Sequence, residues 1–313
     1  MTGVGPWIRL LRPFTLLPPL LGMLSGAASA VGAVRPDMGL WRGFASVALG
    51  AAMAAILNGA SNVLNQVHDL EIDRINKPER PLPRGEVTLG AARLYAIILY
   101  AAALGLAFLV QPAGTPELFW IVVATALLTW AYSGAGLRLR KSWWLAPLVI
   151  AVPRGGLLKV AGWATLAPVF SDREPWMLGG VFFLFVLGAA STKDFSDMEG
   201  DRKGGVVTLP IRFGPRGAAR IMAPFYVLPW LALVAGAWCT PGGRPLLSID
   251  PLAATVLGAG LSVHGFLAAR RMVLVAESLS DSSRGRSAWR HLYLVMMEAQ
   301  VGVALVYLLQ LRR

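Results

Sequence analysis

The sequence predicts an all-α fold, a polytopic membrane bundle of about nine transmembrane helices that forms one domain over residues 1–313. Three observations predict it. Hydrophobic residues make up 56% of the chain and charged residues only 15%, against about 25% charged in an ordinary globular domain. The apolar residues fall into stretches of about 20, the length that crosses a bilayer as a helix. Lys and Arg gather in alternate connections, as they do in membrane proteins of fixed orientation.

The spans follow in order. The first, 14–34, comes after Arg9, Arg12 and Pro13. No small-residue cleavage site ends it, so it reads as a retained helix and not a signal peptide. The second, 43–65, runs into a charged stretch. The third and fourth, 89–110 and 117–134, are punctuated by Pro112 and Gly134. The fifth, 143–163, contains two cations, Arg154 and Lys159. The sixth, 176–193, starts after Pro175 and runs into a second charged stretch. Pro241 and Pro245 separate the seventh, 218–238, from the eighth, 250–270, and 290–311 is the ninth.

Nine spans put Arg9, Arg12, Arg74, Lys77, Arg80, Arg84, Arg138, Arg140 and Lys141 on one side, with most of the later cations. The other side keeps Arg35, Arg42, Arg173, Arg244, Arg312 and Arg313. This asymmetry predicts a multi-pass protein of the cell (inner) membrane with its N-terminus in the cytoplasm. The net charge of +12 is then loop charge that sets topology. No basic stripe with aromatic platforms is present, so the reading has no nucleic-acid partner. A single cysteine, Cys239, excludes an intrachain disulfide and a multi-cysteine metal site.

Two charged stretches repeat. "DLEIDR" at 69–74 is echoed by "DMEGDR" at 197–202, each after an apolar span and each followed by a proline-containing segment. Internal repeats with a polar site between them are common in membrane proteins. Continued as a helix, the second span places Asn58 and Asn62 on one stripe and Asn65, Asp69 and Asp73 on another. Asp194, Asp197 and Asp201 share a face by the same spacing. Two bare carboxylate clusters on one side of a membrane repel unless divalent cations lie between them. Oxygen donors without His or Cys select Mg²⁺ or Mn²⁺ over zinc. Mg²⁺ typically binds a few carboxylates together with substrate phosphates, which implies a diphosphate or triphosphate substrate. Asp69, Asp73, Asp197 and Asp201 are the candidate metal ligands.

Cations complete the pattern. Lys77, Arg80 and Arg84 follow the first acidic segment; Lys193, Arg202 and Lys203 flank the second. Lys77 and Lys193 are candidates for phosphate oxygens, while Arg84, Arg202 and Lys203 read as topology anchors. Arg154 and Lys159 lie within a span, where an ionisable residue is costly and marks function. Gly155 and Gly156 leave room beside Arg154. Asn62, Asn65, Lys77, Arg154, Lys159 and Lys193 are the candidate substrate-binding residues. His264, Glu298 and Gln300 read as helix–helix hydrogen-bonding residues.

"NQVHDLEIDRINKPERPLPRG" resembles the first signature of the UbiA superfamily of intramembrane prenyltransferases, N-D-x-x-D-x-x-x-D, through Asn65, Asp69 and Asp73. Gln66 stands where the family often has its first Asp. "KDFSDMEGDRKGGVVTLPIRFG" resembles the second signature, with Asp194, Asp197 and Asp201 matching. The resemblance implies a polyprenyl diphosphate donor held through Mg²⁺ at both segments, with the prenyl chain passing to an acceptor inside the bundle. An allylic carbocation needs a dry pocket, for which Trp130, Tyr132 and Trp163 are cation–π candidates.

"VPRGGLLKVAGW" faintly resembles homogentisate-type enzymes, and an aromatic acceptor on a quinone route is the expected reading. Geranylgeranylglyceryl phosphate or chlorophyllide is the alternative acceptor. An aromatic acceptor needs a carboxylate to take the ring proton. Asp194 is free for this if Asp197 and Asp201 take the metal, and Arg154 would hold an acceptor carboxylate or phosphate oxygen. Asp194 and Arg154 are thus the candidate catalytic residues. The competing class is a transporter of a phosphorylated anion, although transporters place their site near the midplane.

Overall fold

Fourteen helices follow one another with no strand among the described residues. The structure, a computed structural model, describes residues 3–110, 114–134 and 136–312. Pro112, Arg313 and the side chains of Arg286 and Arg312 lie outside that description. The helices are α1 Val4–Leu11, α2 Leu17–Val34, α3 Leu40–His68, α4 Leu70–Asn76, α5 Leu89–Leu109, α6 Glu117–Ser133 and α7 Leu145–Ala151. They continue as α8 Leu158–Trp163, α9 Glu174–Ala189, α10 Asp194–Lys203, α11 Leu209–Met222, α12 Leu228–Trp238, α13 Pro251–Leu274 and α14 Ser282–Leu309.

Among the described residues, eight segments are long and apolar enough to cross a membrane, and α6, with 17 residues, is a shorter apolar helix between them. Together they agree roughly with the predicted count of about nine. Consecutive spans pack side by side: α2 on α3, α3 on α5, α5 on α6, α6 on α7, α7 on α9, α9 on α12, α12 on α13 and α13 on α14. α14 returns to α2 and closes the ring. The fifth span cuts across it, because α8 packs on α2. There, a Cβ added at Gly26 would strike the backbone of Lys159 and Gly162, and one at Gly162 would strike Met23. Only glycine allows this approach, which is how membrane helices gain packing without a hydrophobic drive between them.

Several spans differ from the sequence reading, α14 among them, which begins eight residues before the expected 290. The second span continues to His68 and breaks at Asp69, with φ −105° and ψ 13°. The amide of Asp69 still donates to Asn65 O at 2.9 Å and that of Asp73 to Asp69 O at 2.7 Å, so the expected polar face survives the break. The seventh span begins at Leu209, nine residues early, as a polar amphipathic turn that kinks at Gly214 (φ 72°) before Pro215. The fifth is not a regular helix. Val152–Leu157 is a π turn between α7 and α8, a distortion that is rare and concentrated at functional sites.

Candidate active site

The site begins with a broken helix. The last carbonyls of a helix lack partners within it, and α1 ends at Leu11 with Arg12 in the left-handed region, φ 57° and ψ 68°. Donors come from α3, where Asn58, Asn62 and Gln66 follow one another at four-residue steps on one face. Asn58 Nδ2 donates to Thr15 O (2.9 Å) and Asn62 Nδ2 to Leu11 O (2.9 Å) and Thr15 Oγ1 (2.8 Å). Gln66 Nε2 donates to Leu10 O (2.8 Å). Three carboxamides thus hold the break, and the break delivers Arg12 into the interior. Burial, then the neighbouring Arg80, lowers the Arg12 guanidinium to about 10, so it stays cationic at neutral pH.

Both acidic segments open on one cavity of about 170 Å³, lined by Asp69 and Asp73 from one and Asp194, Asp197 and Asp201 from the other. Asp69 pairs with Arg140, and Asp73 with Arg80. Lys77 Nζ donates to Asp197 Oδ2 across the segments at 2.6 Å. Asn76 sews α4 to α10: its Nδ2 donates to Asp197 O (3.0 Å), and Gly200 N donates to its Oδ1 (2.9 Å). Burial lowers Lys77 while Asp197 raises it, and burial wins. Arg140 is lowered by burial against the pull of Asp201. Cations forced into a poorly solvated place seek anions, and Lys77, Arg80 and Arg140 all line this cavity.

A second cavity of about 110 Å³ shares Arg12, Asn65, Tyr132, Ile150 and Lys193 with the first. It is lined further by Val149, Phe185, Val186 and Met296. Asn65 Nδ2 donates to Asp69 Oδ2 (2.8 Å), and Lys193 Nζ to Tyr132 OH (3.2 Å). The π turn carries Arg154 to this cavity and to a third of about 50 Å³. The third is lined by Met23, Met53, Leu57, Val122 and Leu157. The passage therefore runs from charged, through mixed, to apolar.

The structure brings together Asn65, Asp69, Asp73, Lys77, Lys193, Asp194, Asp197 and Asp201 at the mouth and Arg154 further in. Asn62 lines the second cavity, but its amide is engaged by α1 and the turn after it. Lys159, read from the sequence as substrate-binding, lines none of the three cavities. It is buried, donates to Ser25 Oγ at 2.6 Å and to Gln300 Oε1, and lies 4.2 Å over the Phe182 ring. A cation clasped by α2, α9 and α14 serves packing. Of the aromatic candidates, Tyr132 faces the passage, Trp163 is wholly buried against Tyr307, and Trp130 is exposed. Glu298 and His264 do bond between helices, at 2.9 Å. Arg12 and Arg140 escaped the sequence reading as site residues. Each stands beside a span end, where a cation reads as an anchor, and only the broken helix and the loop fold turn them inward.

No group of three or more His, Cys, Asp or Glu side chains close enough to hold a metal ion is present among the described residues. Asp69, Asp73 and Asp197 are instead paired with cations. The donor chemistry still suits Mg²⁺: oxygens only, on two segments that share one cavity.

The sequence model of the UbiA prenyltransferase family matches residues 14–277. The chain is 32% identical over 222 residues to the bacteriochlorophyll synthase 33 kDa chain of Cereibacter sphaeroides, covering 68% of each. It is 31% identical over 305 residues to digeranylgeranylglyceryl phosphate synthase of Methanothermobacter thermautotrophicus, covering 97% of this chain and 94% of that one. Among solved structures, a UbiA homologue from Archaeoglobus fulgidus bound to DMAPP and Mg²⁺ superposes with a TM-score of 0.69 at 19% identity, covering 95% and 98%. At that identity the likeness is one of fold.

Proposed function

The chain belongs to the UbiA prenyltransferase family, and from that premise we propose that it moves a prenyl chain from a polyprenyl diphosphate to an oxygen of an anionic amphiphilic acceptor. Enzymatic prenyl transfer in a multi-pass membrane protein follows from the family itself, which leaves the transporter reading without a basis. We take residues 1–313 as a single domain of that family. The acceptor departs from the expected aromatic, quinone-route substrate. Relatives that match well are named for bacteriochlorophyll and for digeranylgeranylglyceryl phosphate, the kinds of product that the alternative reading of the acceptor gives. Arg154, set deep in the passage, suits an acceptor that carries a carboxylate or a phosphate.

The observation that carries the proposal is the passage itself, with carboxylates and cations at the mouth and an apolar chamber within. The diphosphate would lie between the acidic segments, and the tail would run past Arg154 toward Met23 and Met53. Asp69, Asp73, Asp197 and Asp201 would hold Mg²⁺, whose charge opposes that of the departing diphosphate. Lys77, Arg80 and Arg140 would turn from their carboxylates to phosphate oxygens, with Arg12 lining the same cavity. The allylic C–O bond breaks with its electron pair leaving on the diphosphate. The acceptor oxygen then bonds to the freed carbon. Where that oxygen is a hydroxyl, its proton goes to Asp194, buried beside Lys193; a carboxylate acceptor needs no base.

The test is Mg²⁺-dependent release of diphosphate from geranylgeranyl diphosphate by purified protein. The acceptor panel holds geranylgeranylglyceryl phosphate, a chlorophyllide and 4-hydroxybenzoate. Release only with one of the first two supports the proposal. Release only with hydroxybenzoate restores the aromatic reading.

A further inference from the structure

A further cavity lies behind the passage, on another face of α14. It occupies about 340 Å³ between the end of α13, the turn Ala276–Ser278 and the start of α14. Arg271, Arg284, Ser287 and His291 give it a polar rim. Its floor is apolar: Met272, Leu279 and Leu292 are almost wholly buried there, with Tyr226 beneath them. None of the acidic segment residues reaches it. Leu292 also walls the second cavity of the passage, so one side chain separates the two.

Charge and placement say what it takes. Residues 270–290 contain Arg270, Arg271, Arg284, Arg286 and Arg290 against Glu277 and Asp281. Glu277 lies 4.0 Å from Arg216, and neither Arg271 nor Arg284 has an ion pair among the described residues. His291 Nε2 meets His264 Nε2 at 2.9 Å, and His264 Nδ1 meets Glu298 at 2.9 Å, which orients the rim imidazole. Beside the rim, Leu267, Leu274 and Val275 are exposed on α13 and just after it, a surface fit for lipid chains and not for water. Two guanidiniums without an ion pair among the described residues suit a phosphate, and a buried apolar floor beneath them suits a tail. Basic pockets between membrane helices near the interface take up anionic lipid headgroups.

We propose that this cavity binds an anionic phospholipid from the bilayer, its phosphate between Arg271 and Arg284 and an acyl chain against Met272 and Leu279. Binding of a fluorescent short-chain phosphatidylglycerol to the purified full chain tests it, with phosphatidylcholine as the neutral comparison and inorganic phosphate as competitor. Phosphatidylglycerol should bind and phosphatidylcholine should not. Arg271→Ala and Arg284→Ala should weaken binding roughly five-fold each without lowering the unfolding temperature in neutral lipid. Arg290→Ala removes the same charge outside the cavity and should change little. Equal weakening by Arg290→Ala would reduce the effect to diffuse surface charge and overturn the proposal. So would equal binding of phosphatidylcholine. Displacement of the lipid by an equal concentration of inorganic phosphate would also overturn it, since the floor would then contribute nothing.

Discussion

The two acidic segments look like copies in sequence and behave as complements in space. The first supplies one counter-charge of its own, Arg80 on Asp73, and takes the other, Arg140 on Asp69, from the turn before α7. The second borrows, since the cation on Asp197 is Lys77 of the first. Their supports differ as well. The helix leading to the first gives three carboxamides to a neighbouring broken helix. The helix leading to the second, α9, ends in a 3₁₀ turn, Ala190–Lys193, that runs straight into Asp194. Repetition of a motif therefore reports shared ligands and says little about how each half is neutralised.

That contrast can be broken at several places. The largest effect is expected where the halves are alike: Asp69→Asn and Asp197→Asn should each lower diphosphate release by on the order of a hundred-fold or more, and chelation of Mg²⁺ should abolish it. Retention of activity in one of the two would make the halves unequal as ligand sets. The next effect is at the link. Lys77→Gln removes a charged hydrogen bond worth about 1.5–3 kcal/mol, so kcat/KM for the donor should fall roughly ten- to hundred-fold, with Lys77→Arg recovering part of it. An unchanged kcat/KM would mean that the second segment needs no borrowed charge.

A smaller effect belongs to the first segment's support. Gln66→Leu strips the donor from Leu10 O, which should cost about 1–3 kcal/mol of stability and raise KM for the donor through a displaced Arg12. A stability loss with KM unchanged would confine the carboxamides to folding. The smallest is at the rim, where Lys203→Ala breaks an exposed pair with Glu199 and should shift stability by less than about 0.5 kcal/mol. Asp194→Asn adds a sharper question. Activity surviving with a hydroxyl acceptor would remove its role as proton acceptor.

Much of this was legible in the sequence, because bilayer thickness and helical repeat leave a chain little freedom. The nine spans and the faces of Asn65, Asp69 and Asp73 follow from those two lengths. What the sequence hid depends on where backbones break. Arg12 turns inward because α1 stops one residue before it. Arg154 reaches the passage through a π turn that no periodicity announces. Lys159, five residues on, is equally charged and equally intramembrane, yet rotates onto Ser25 and Gln300. Gln66 sits at a signature position and serves a carbonyl of α1, with its own Oε1 unpartnered among the described residues.

Met23 and Met53 form part of the wall of the inner chamber. Thioether chains are unbranched and rearrange easily, so the wall is soft there, where a branched residue or a backbone would be hard. A longer tail that pressed on the two methionines would displace them more easily than it would Leu57 or Val122, which line the same chamber. Read as a ruler, the passage has graded last marks. Turnover should decline stepwise with donor length and not stop at one value, and replacing Met53 with Ile or Phe would give the ruler an edge.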